Sequence, residues 1–137
     1  MSFAIKSKTV KTMLLEKNLS GLLDKRRDIL GREDIRVLTV ETAEAALKAA
    51  VKEKAGLLVV DIDMPEMGGD SLCLALRKEE SMKKAYIALA CTGSKADMKR
   101  CEACGANAFL TKPFGPESLY QLVCRAFDIP ERKGIRV

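Results

Sequence analysis

The stretch GLLVVDIDMPEMGG, residues 56–69, places two carboxylates directly after a run of apolar residues. The run from Leu57 to Val60 is short and aliphatic, which is typical of a strand buried on both faces. Because a charged side chain is costly to bury, Asp61 and Asp63 are expected where this strand leaves the core and meets solvent. The pattern therefore predicts a buried strand whose carboxyl end carries an acidic site.

Four similar runs predict four more strands, and segments with helical periodicity separate them. The predicted strands cover residues 12–15, 35–40, 57–61, 86–91 and 108–111. Apolar faces at helical spacing occur between them, for example at Leu19, Leu22, Leu23, Ile29 and Leu30. Strands that alternate with helices imply right-handed crossovers and a parallel sheet with helices on both faces. The sequence thus predicts an α/β domain whose site lies at the carboxyl ends of the strands.

Three residue patterns mark where predicted helices begin. Thr42 is suited to capping the helix that follows the second strand. Ser94 has Asp97 three residues later, which is a start signal of the capping-box type. The sequence GPES places Pro116 in the first turn of the last helix.

Length and composition exclude several classes of protein. The 137 residues suit one domain, which we predict over 11–127, with tails at 1–10 and 128–137. No apolar stretch approaches the length of a membrane span and no signal-peptide core is present, so we expect a cytoplasmic protein with no membrane contact. The net charge is +5, but basic residues are scattered and aromatics are only 4%, which disfavours direct nucleic-acid binding.

The five cysteines are predicted to be reduced and structural. They are odd in number, scattered and set mostly among apolar neighbours, which fits buried thiols in a reducing compartment. Cys101 and Cys104 form a C-x-x-C, but the chain has no histidine and no second such pair. A zinc site is therefore disfavoured.

Residues at three strand ends are expected to converge on Asp61. Glu16 ends the first strand and Lys112 ends the fifth. A carboxylate at this edge could cap the loop, bind a metal or act as a nucleophile that accepts a group covalently. Acids and a lysine around one carboxylate suit a divalent cation and a phosphoryl group, because the positive charges neutralise oxygens that otherwise repel.

Two stretches, at the separation they have in this chain, closely resemble the receiver domain of bacterial two-component response regulators. They are LLVVDIDMPEMGG and ACGANAFLTKPF. The resemblance spans roughly residues 11–127 and implies a flavodoxin-like (βα)5 three-layer sandwich with a five-stranded parallel sheet. It implies that Asp61 is the phosphoacceptor, that a histidine kinase or phosphotransfer protein is the donor, and that Lys112 contacts the phosphoryl group. The Lys112–Pro113 bond is then expected to be cis, and Phe109 falls at the switch aromatic.

The resemblance also implies a Mg²⁺ site, and two departures bear on it and on the switch. The implied metal ligands are Glu16, Asp61 and the backbone carbonyl of Asp63. Receivers usually end the first strand with two adjacent acids, whereas Lys17 here replaces the acid that normally touches the metal. When the family's pattern is placed by counting back from Lys112, Ala90 occupies the position of its phosphate-binding Thr or Ser. Thr92 lies two residues after that position.

The departures leave several interpretations open. Lys17 could form a salt bridge to Asp61 in place of the cation, as in a phosphorylation-independent pseudo-receiver that acts as an interaction module. Its side chain could instead point to solvent, or the Asp63 carboxylate could restore metal binding. Thr92 could reach the phosphate site if its loop contracts.

A second class with an Asp-x-Asp motif is the haloacid-dehalogenase-type phosphatases. Those enzymes carry the motif after their first core strand and need a later acidic pair on a longer chain. Here two predicted strands come first, and Met64 and Pro65 follow the second acid. We therefore predict a signalling domain and not an enzyme acting on external phosphoesters.

Two expectations concern the output of the domain. In receivers the face around 96–125, which carries the switch aromatic, contacts partners and commonly forms homodimers. Arg132 and Arg136 form R-x-x-x-R, similar to the start of PilZ domains, where paired guanidiniums bind the phosphates of cyclic di-GMP. Two interpretations stay open: residues 128–137 form a tail or linker, or the chain is the amino-terminal part of a receiver–PilZ protein.

Overall fold

The computed structural model describes residues 11–17, 19, 21 and 34–130, and five parallel strands form one sheet in this part of the chain. The strands are β1 (Lys11–Glu16), β2 (Ile35–Val40), β3 (Leu57–Asp61), β4 (Tyr86–Cys91) and β5 (Ala108–Thr111). Their order in the sheet is β2-β1-β3-β4-β5. This arrangement confirms the five predicted strands and the flavodoxin-like α/β fold.

Of the four described helices, three connect consecutive strands and the fourth follows β5. They are α1 (Ala43–Glu53), α2 (Gly69–Arg77), α3 (Lys95–Ala103) and α4 (Pro116–Phe127), with a 3-10 turn at Glu80–Met82. The helix predicted between the first two strands lies largely outside the described residues, as do the tail at 1–10 and the pair Arg132 and Arg136.

Two apolar clusters fill the space on opposite faces of the sheet, which confirms helices on both sides. Alternation along a strand sends neighbouring side chains to opposite faces. Met13 and Leu15 thus pack with α4, while Leu14 and Leu58 pack with α1, α2 and α3. The prediction that every strand is buried on both faces is wrong for β2 and β5, because each has a neighbouring strand on one side only.

The predicted helix starts are confirmed. The Thr42 hydroxyl accepts a hydrogen bond from the Ala45 backbone N–H at 3.1 Å. The Ser94 hydroxyl accepts one from the Asp97 N–H at 3.1 Å, and Pro116 is the first residue of α4. The Thr42 and Ser94 hydroxyls each satisfy a backbone donor that has no partner inside the helix, whereas Pro116 has no N–H to satisfy.

All five cysteines are buried and reduced, as predicted. The pKa values of Cys73 and Cys101 are raised to about 12, and burial is the largest cause. Both thiols are therefore protonated at neutral pH. Within the described part of the chain, no three His, Cys, Asp or Glu side chains are grouped so that they could hold a metal ion. None of the helices described there is long and apolar enough to span a membrane.

Candidate functional site

Asp61 lies at the carboxyl end of β3, and two donors orient its carboxylate. One oxygen, Oδ1, accepts a hydrogen bond from the Asp63 backbone N–H at 2.8 Å. The other, Oδ2, pairs with the ammonium of Lys112. The Asp61 side chain is 18% exposed, so it faces the mouth of the sheet without being sealed from solvent. A carboxylate held in this way is both fixed in direction and accessible.

Lys112 reaches Asp61 because β5 ends beside β4. Its backbone N–H donates to the Cys91 carbonyl at 2.8 Å, and the following Lys112–Pro113 peptide is cis, as expected. The hydrogen bond to Asp61 is the largest influence on this ammonium and raises the pKa of Lys112. The positive charge is therefore stabilised next to the carboxylate.

The loop after Asp61 folds back tightly over the strand end. The Gly69 N–H donates to the Ile62 carbonyl at 2.8 Å, which places the start of α2 against β3. A Cβ atom at Gly69 would lie 2.4 Å from the Asp61 carbonyl oxygen, so only glycine allows this approach. The last glycine of the opening sequence, Gly69, thus has a steric role beside Asp61.

Glu16 ends β1, the strand next to β3, and is only 5% exposed. The negative charges of Asp63 and Glu16 also contribute, after Asp61, to the raised pKa of Lys112. The structure therefore brings Glu16, Asp61 and Lys112 to one edge of the sheet. The predicted convergence of three strand ends is present in the fold.

Lys17 and the Asp63 carboxylate turn away from Asp61, contrary to two of the interpretations left open by the sequence. The Lys17 ammonium lies 3.5 Å from Glu41, and its side chain is 65% exposed. The Asp63 carboxylate accepts a hydrogen bond from Arg100 at 3.1 Å and is 64% exposed. The lysine paired with Asp61 is Lys112 and not Lys17.

The residues at this edge offer oxygen donors of the kind that a small hard cation prefers. Glu16 and Asp61 would supply two carboxylates, and the backbone of Asp63 would supply a carbonyl. Mg²⁺ prefers oxygen ligands and keeps several waters, so a set of three protein oxygens is compatible with its coordination. No third acidic side chain among the described residues completes a metal-holding group with Glu16 and Asp61, and the carboxylate of Asp63 is bonded to Arg100.

Ala90 and Thr92 occupy different surroundings at the end of β4. Ala90 is the register partner of Asp61, is fully buried, and accepts a hydrogen bond from the Ile62 N–H at 2.9 Å. Thr92 lies beyond the strand, and its hydroxyl donates to Asp97 Oδ2 at 2.8 Å. The Thr92 hydroxyl is thus bonded to Asp97 and not to Asp61.

Arg100 was not predicted as a site residue, yet it connects three segments of the site. Its guanidinium binds both oxygens of Asp70, at 2.9 and 3.0 Å, and also contacts Asp63 and Asp97. Only the Asp97 contact, at a spacing of three residues within one helix, has a local sequence signal. The hydrogen bond from Arg100 lowers the pKa of Asp70.

Phe109 lies on the edge strand β5, and 43% of the residue is exposed. It borders a shallow cavity of about 90 Å³ whose other lining residues are Ala108 of β5 and residues of α3 and of the turn before β5. A large aromatic side chain on this edge can change position without disturbing the core.

Comparisons with known proteins agree with this geometry. The profile of the response regulator receiver domain family matches residues 18–124. A probable transcriptional regulator, ycf27 of Pyropia yezoensis, is 34% identical over 104 residues, which are 76% of this chain and 41% of the relative. PhoP, the alkaline phosphatase synthesis regulator of Bacillus subtilis, is 32% identical over 90 residues, or 66% of this chain and 37% of PhoP.

Solved structures show the same fold. The chemotaxis response regulator CheY4 of Vibrio cholerae is 26% identical, with a TM-score of 0.71 over 86% of this chain and 98% of CheY4. The receiver domain of the sensor histidine kinase PA1611 of Pseudomonas aeruginosa, solved with magnesium in its active-site cleft, is 21% identical. Its TM-score is 0.74, over 88% of this chain and 99% of that domain. The chain belongs to the response regulator receiver domain family, whose general function is to be phosphorylated on an aspartate by a kinase.

Proposed function

We propose that Asp61 is the aspartate that accepts the phosphoryl group from a phosphohistidine of a sensor histidine kinase or phosphotransfer protein. The observation that carries the proposal is the Asp61 carboxylate, which lies at the sheet mouth between the Asp63 N–H and the Lys112 ammonium. In the transfer, an Asp61 oxygen forms a bond to phosphorus while the phosphorus–nitrogen bond breaks. The electron pair of that bond stays on the imidazole, which leaves.

Lys112 has two functions in this proposal. Before the transfer, its ammonium fixes the direction of the Asp61 carboxylate. During the transfer, the same positive charge lies where negative charge develops on the phosphoryl oxygens, and such preorganised charge lowers the barrier. The raised pKa keeps Lys112 protonated throughout the neutral range.

Glu16, Asp61 and the Asp63 carbonyl would hold a Mg²⁺ ion at this edge. When bound, the ion neutralises phosphoryl oxygens that the carboxylates otherwise repel. Lys17 supports this proposal because its ammonium lies against Glu41 and leaves Asp61 to Lys112. Phe109 would be the residue whose position changes with the state of Asp61.

The chain spans about two-fifths of the length of curated relatives such as ycf27, so the output of the whole protein is also proposed. We place it on the face formed by α3, β5 and α4, where Phe109 is exposed. A second copy of the domain could bind there. The PilZ continuation stays a prediction, because Arg132 and Arg136 lie outside the described residues.

The direct test is the intact mass of the protein after incubation with magnesium and acetyl phosphate. We expect one phosphoryl adduct on the wild type and none on Asp61→Asn, which keeps the shape of the side chain but removes the nucleophilic charge. Lys17→Asp is the matched variant that restores the usual acidic pair after β1. An adduct on Lys17→Asp but none on the wild type would contradict the proposal and indicate the pseudo-receiver alternative.

A further inference from the structure

The Thr92 hydroxyl is held by contacts that the proposed phosphorylation of Asp61 does not use. Its single proton is donated to Asp97 Oδ2 at 2.8 Å, and its oxygen accepts the Ser94 N–H at 3.3 Å. The Thr92 backbone N–H donates to the same Asp97 oxygen at 2.9 Å. Asp97 thus binds Thr92 twice, and the hydroxyl has no second proton to give.

Arg100 holds Asp97 in this position and connects it to the loop after Asp61. The guanidinium lies 3.5 Å from Asp97 Oδ1, so the two Asp97 oxygens face different partners. The same guanidinium contacts Asp63 at 3.1 Å and the Ile62 carbonyl at 3.2 Å. The Thr92 segment and the Asp61 segment are therefore joined through one side chain.

Thr92 lies close enough to the site for this contact to matter. Cys91, the preceding residue, accepts the backbone N–H of Lys112, which itself binds Asp61. The charge of Lys112 also contributes to the lowered pKa of Asp97, after the hydrogen bonds from Thr92 and the charge of Arg100. Gly93, which follows Thr92, has a φ of +86°, a backbone conformation that glycine adopts without strain.

We infer that Asp97 is a positioning residue of the phosphoacceptor site. Its carboxylate binds the Thr92 hydroxyl proton and thereby opposes the phosphorylated state. Ala90 has no hydroxyl at the register position of Asp61, and the first hydroxyl beyond it along the chain belongs to Thr92, two residues later. The Thr92 hydroxyl can donate to a phosphoryl oxygen on Asp61 only after it releases Asp97. The inference rests on the proposed phosphorylation of Asp61.

The test measures the affinity of the protein for beryllofluoride, a phosphoryl analogue, in the presence of magnesium. Binding is monitored by changes in the amide NMR spectrum. Asp97→Asn keeps the shape of the side chain but removes its charge, so Thr92 is released more easily. We expect beryllofluoride to bind about tenfold more tightly, since the competing hydrogen bond loses its charged acceptor. Asp97→Gln provides a second variant if Asp97→Asn does not fold.

The matched control is the same substitution in a Thr92→Val background, where the hydroxyl is replaced by a methyl group. A structural effect of Asp97 on α3 would appear in both backgrounds, whereas an effect through the Thr92 hydroxyl should vanish in Thr92→Val. An unchanged affinity in Asp97→Asn, or the same change in both backgrounds, would overturn the inference.

A second measurement distinguishes failure of the proposed function from failure of the inference about Asp97. If no variant binds beryllofluoride or acquires a phosphoryl group, the proposal for Asp61 fails. Urea unfolding of Thr92→Val, Asp97→Asn and the double variant then tests the contact itself. Non-additive free energies of unfolding would support the binding of Thr92 by Asp97, and additive ones would overturn it.

Discussion

Two arginines lie near opposite ends of the sheet, and they bind different kinds of partner. Arg77 donates to neutral oxygens near the start of β4 and β5, namely the carbonyls of Met82, Lys83, Ala85 and Gly105 and the side-chain oxygen of Asn107. Arg100 lies near the other end, and its side-chain partners are the carboxylates of Asp63, Asp70 and Asp97. The partners of Arg77 are thus neutral, whereas Arg100 binds three carboxylates and one neutral oxygen, the Ile62 carbonyl.

This difference indicates which end of the sheet can respond to a change of charge or of pH. Neutral carbonyls do not titrate and do not exchange partners without breaking the backbone structure. Carboxylates titrate, are screened by salt and can exchange one cation for another. The Arg77 contacts are therefore expected to be fixed, while the Arg100 contacts can change when the charge near Asp63, Asp70 or Asp97 changes.

The largest expected effect is from Arg77→Met, which keeps the length of the side chain and removes every donor. It removes the hydrogen bonds to the partly buried carbonyls of Met82 and Ala85 together with those to three exposed oxygens, so we expect a loss of about 2–3 kcal/mol in the free energy of unfolding. Urea unfolding measures it. The loss should be nearly the same in low and high salt. A strongly salt-dependent loss would contradict the neutral character of this end.

Arg100→Met is expected to have a smaller effect on stability. The Arg100 side chain is 35% exposed, so solvent screens its ion pairs, and we expect a loss of about 1 kcal/mol that shrinks in high salt. The same urea experiment at two salt concentrations tests this. If Arg100→Met cost more than Arg77→Met, the comparison between the two ends would be reversed.

A lower pH should weaken the stabilisation by the Arg100 ion pairs and not that by the Arg77 hydrogen bonds. The pKa of Asp70 is lowered from its ordinary value of 3.8, mainly by the hydrogen bond from Arg100. Its contribution to stability is therefore present above that value and is lost as pH falls through the lowered pKa. We expect the fall in unfolding free energy below about pH 4 to be shallower in Arg100→Met than in Arg77→Met. Equal slopes in the two variants would contradict this assignment.

The smallest expected effect is from Asn107→Asp, which gives the Arg77 end a charged partner. Asn107 accepts hydrogen bonds from Arg77 and from the Ile87 N–H, both at 2.7 Å, and a carboxylate can accept both. We expect a change of less than about 1 kcal/mol at neutral pH, together with a new sensitivity to acid. Asn107→Ala is the control, because it removes the acceptor and should destabilise the protein at every pH.

Much of the fold could be predicted because its signals are local. The five strands and the helix starts at Thr42, Ser94 and Pro116 depend on apolar runs and on caps within a few residues. The burial of β2 and β5 was overestimated, because a run of apolar residues does not reveal which strands lie at the edges of the sheet. That depends on strand order, which is a property of the whole chain.

The sequence by itself determined the neighbourhood of Asp61: parallel strands must bring Glu16, Asp61 and Lys112 to one edge. Only the tertiary structure decided which cation binds which acid. Lys112 binds Asp61 and Lys17 lies against Glu41, although Lys17 follows a strand adjacent to that of Asp61. Arg100 meets Asp63 and Asp70 across separations of 37 and 30 residues. The physical reason is that periodicity fixes the face on which a side chain lies, whereas an ion pair depends on distances between segments that are set only when helices pack on the sheet.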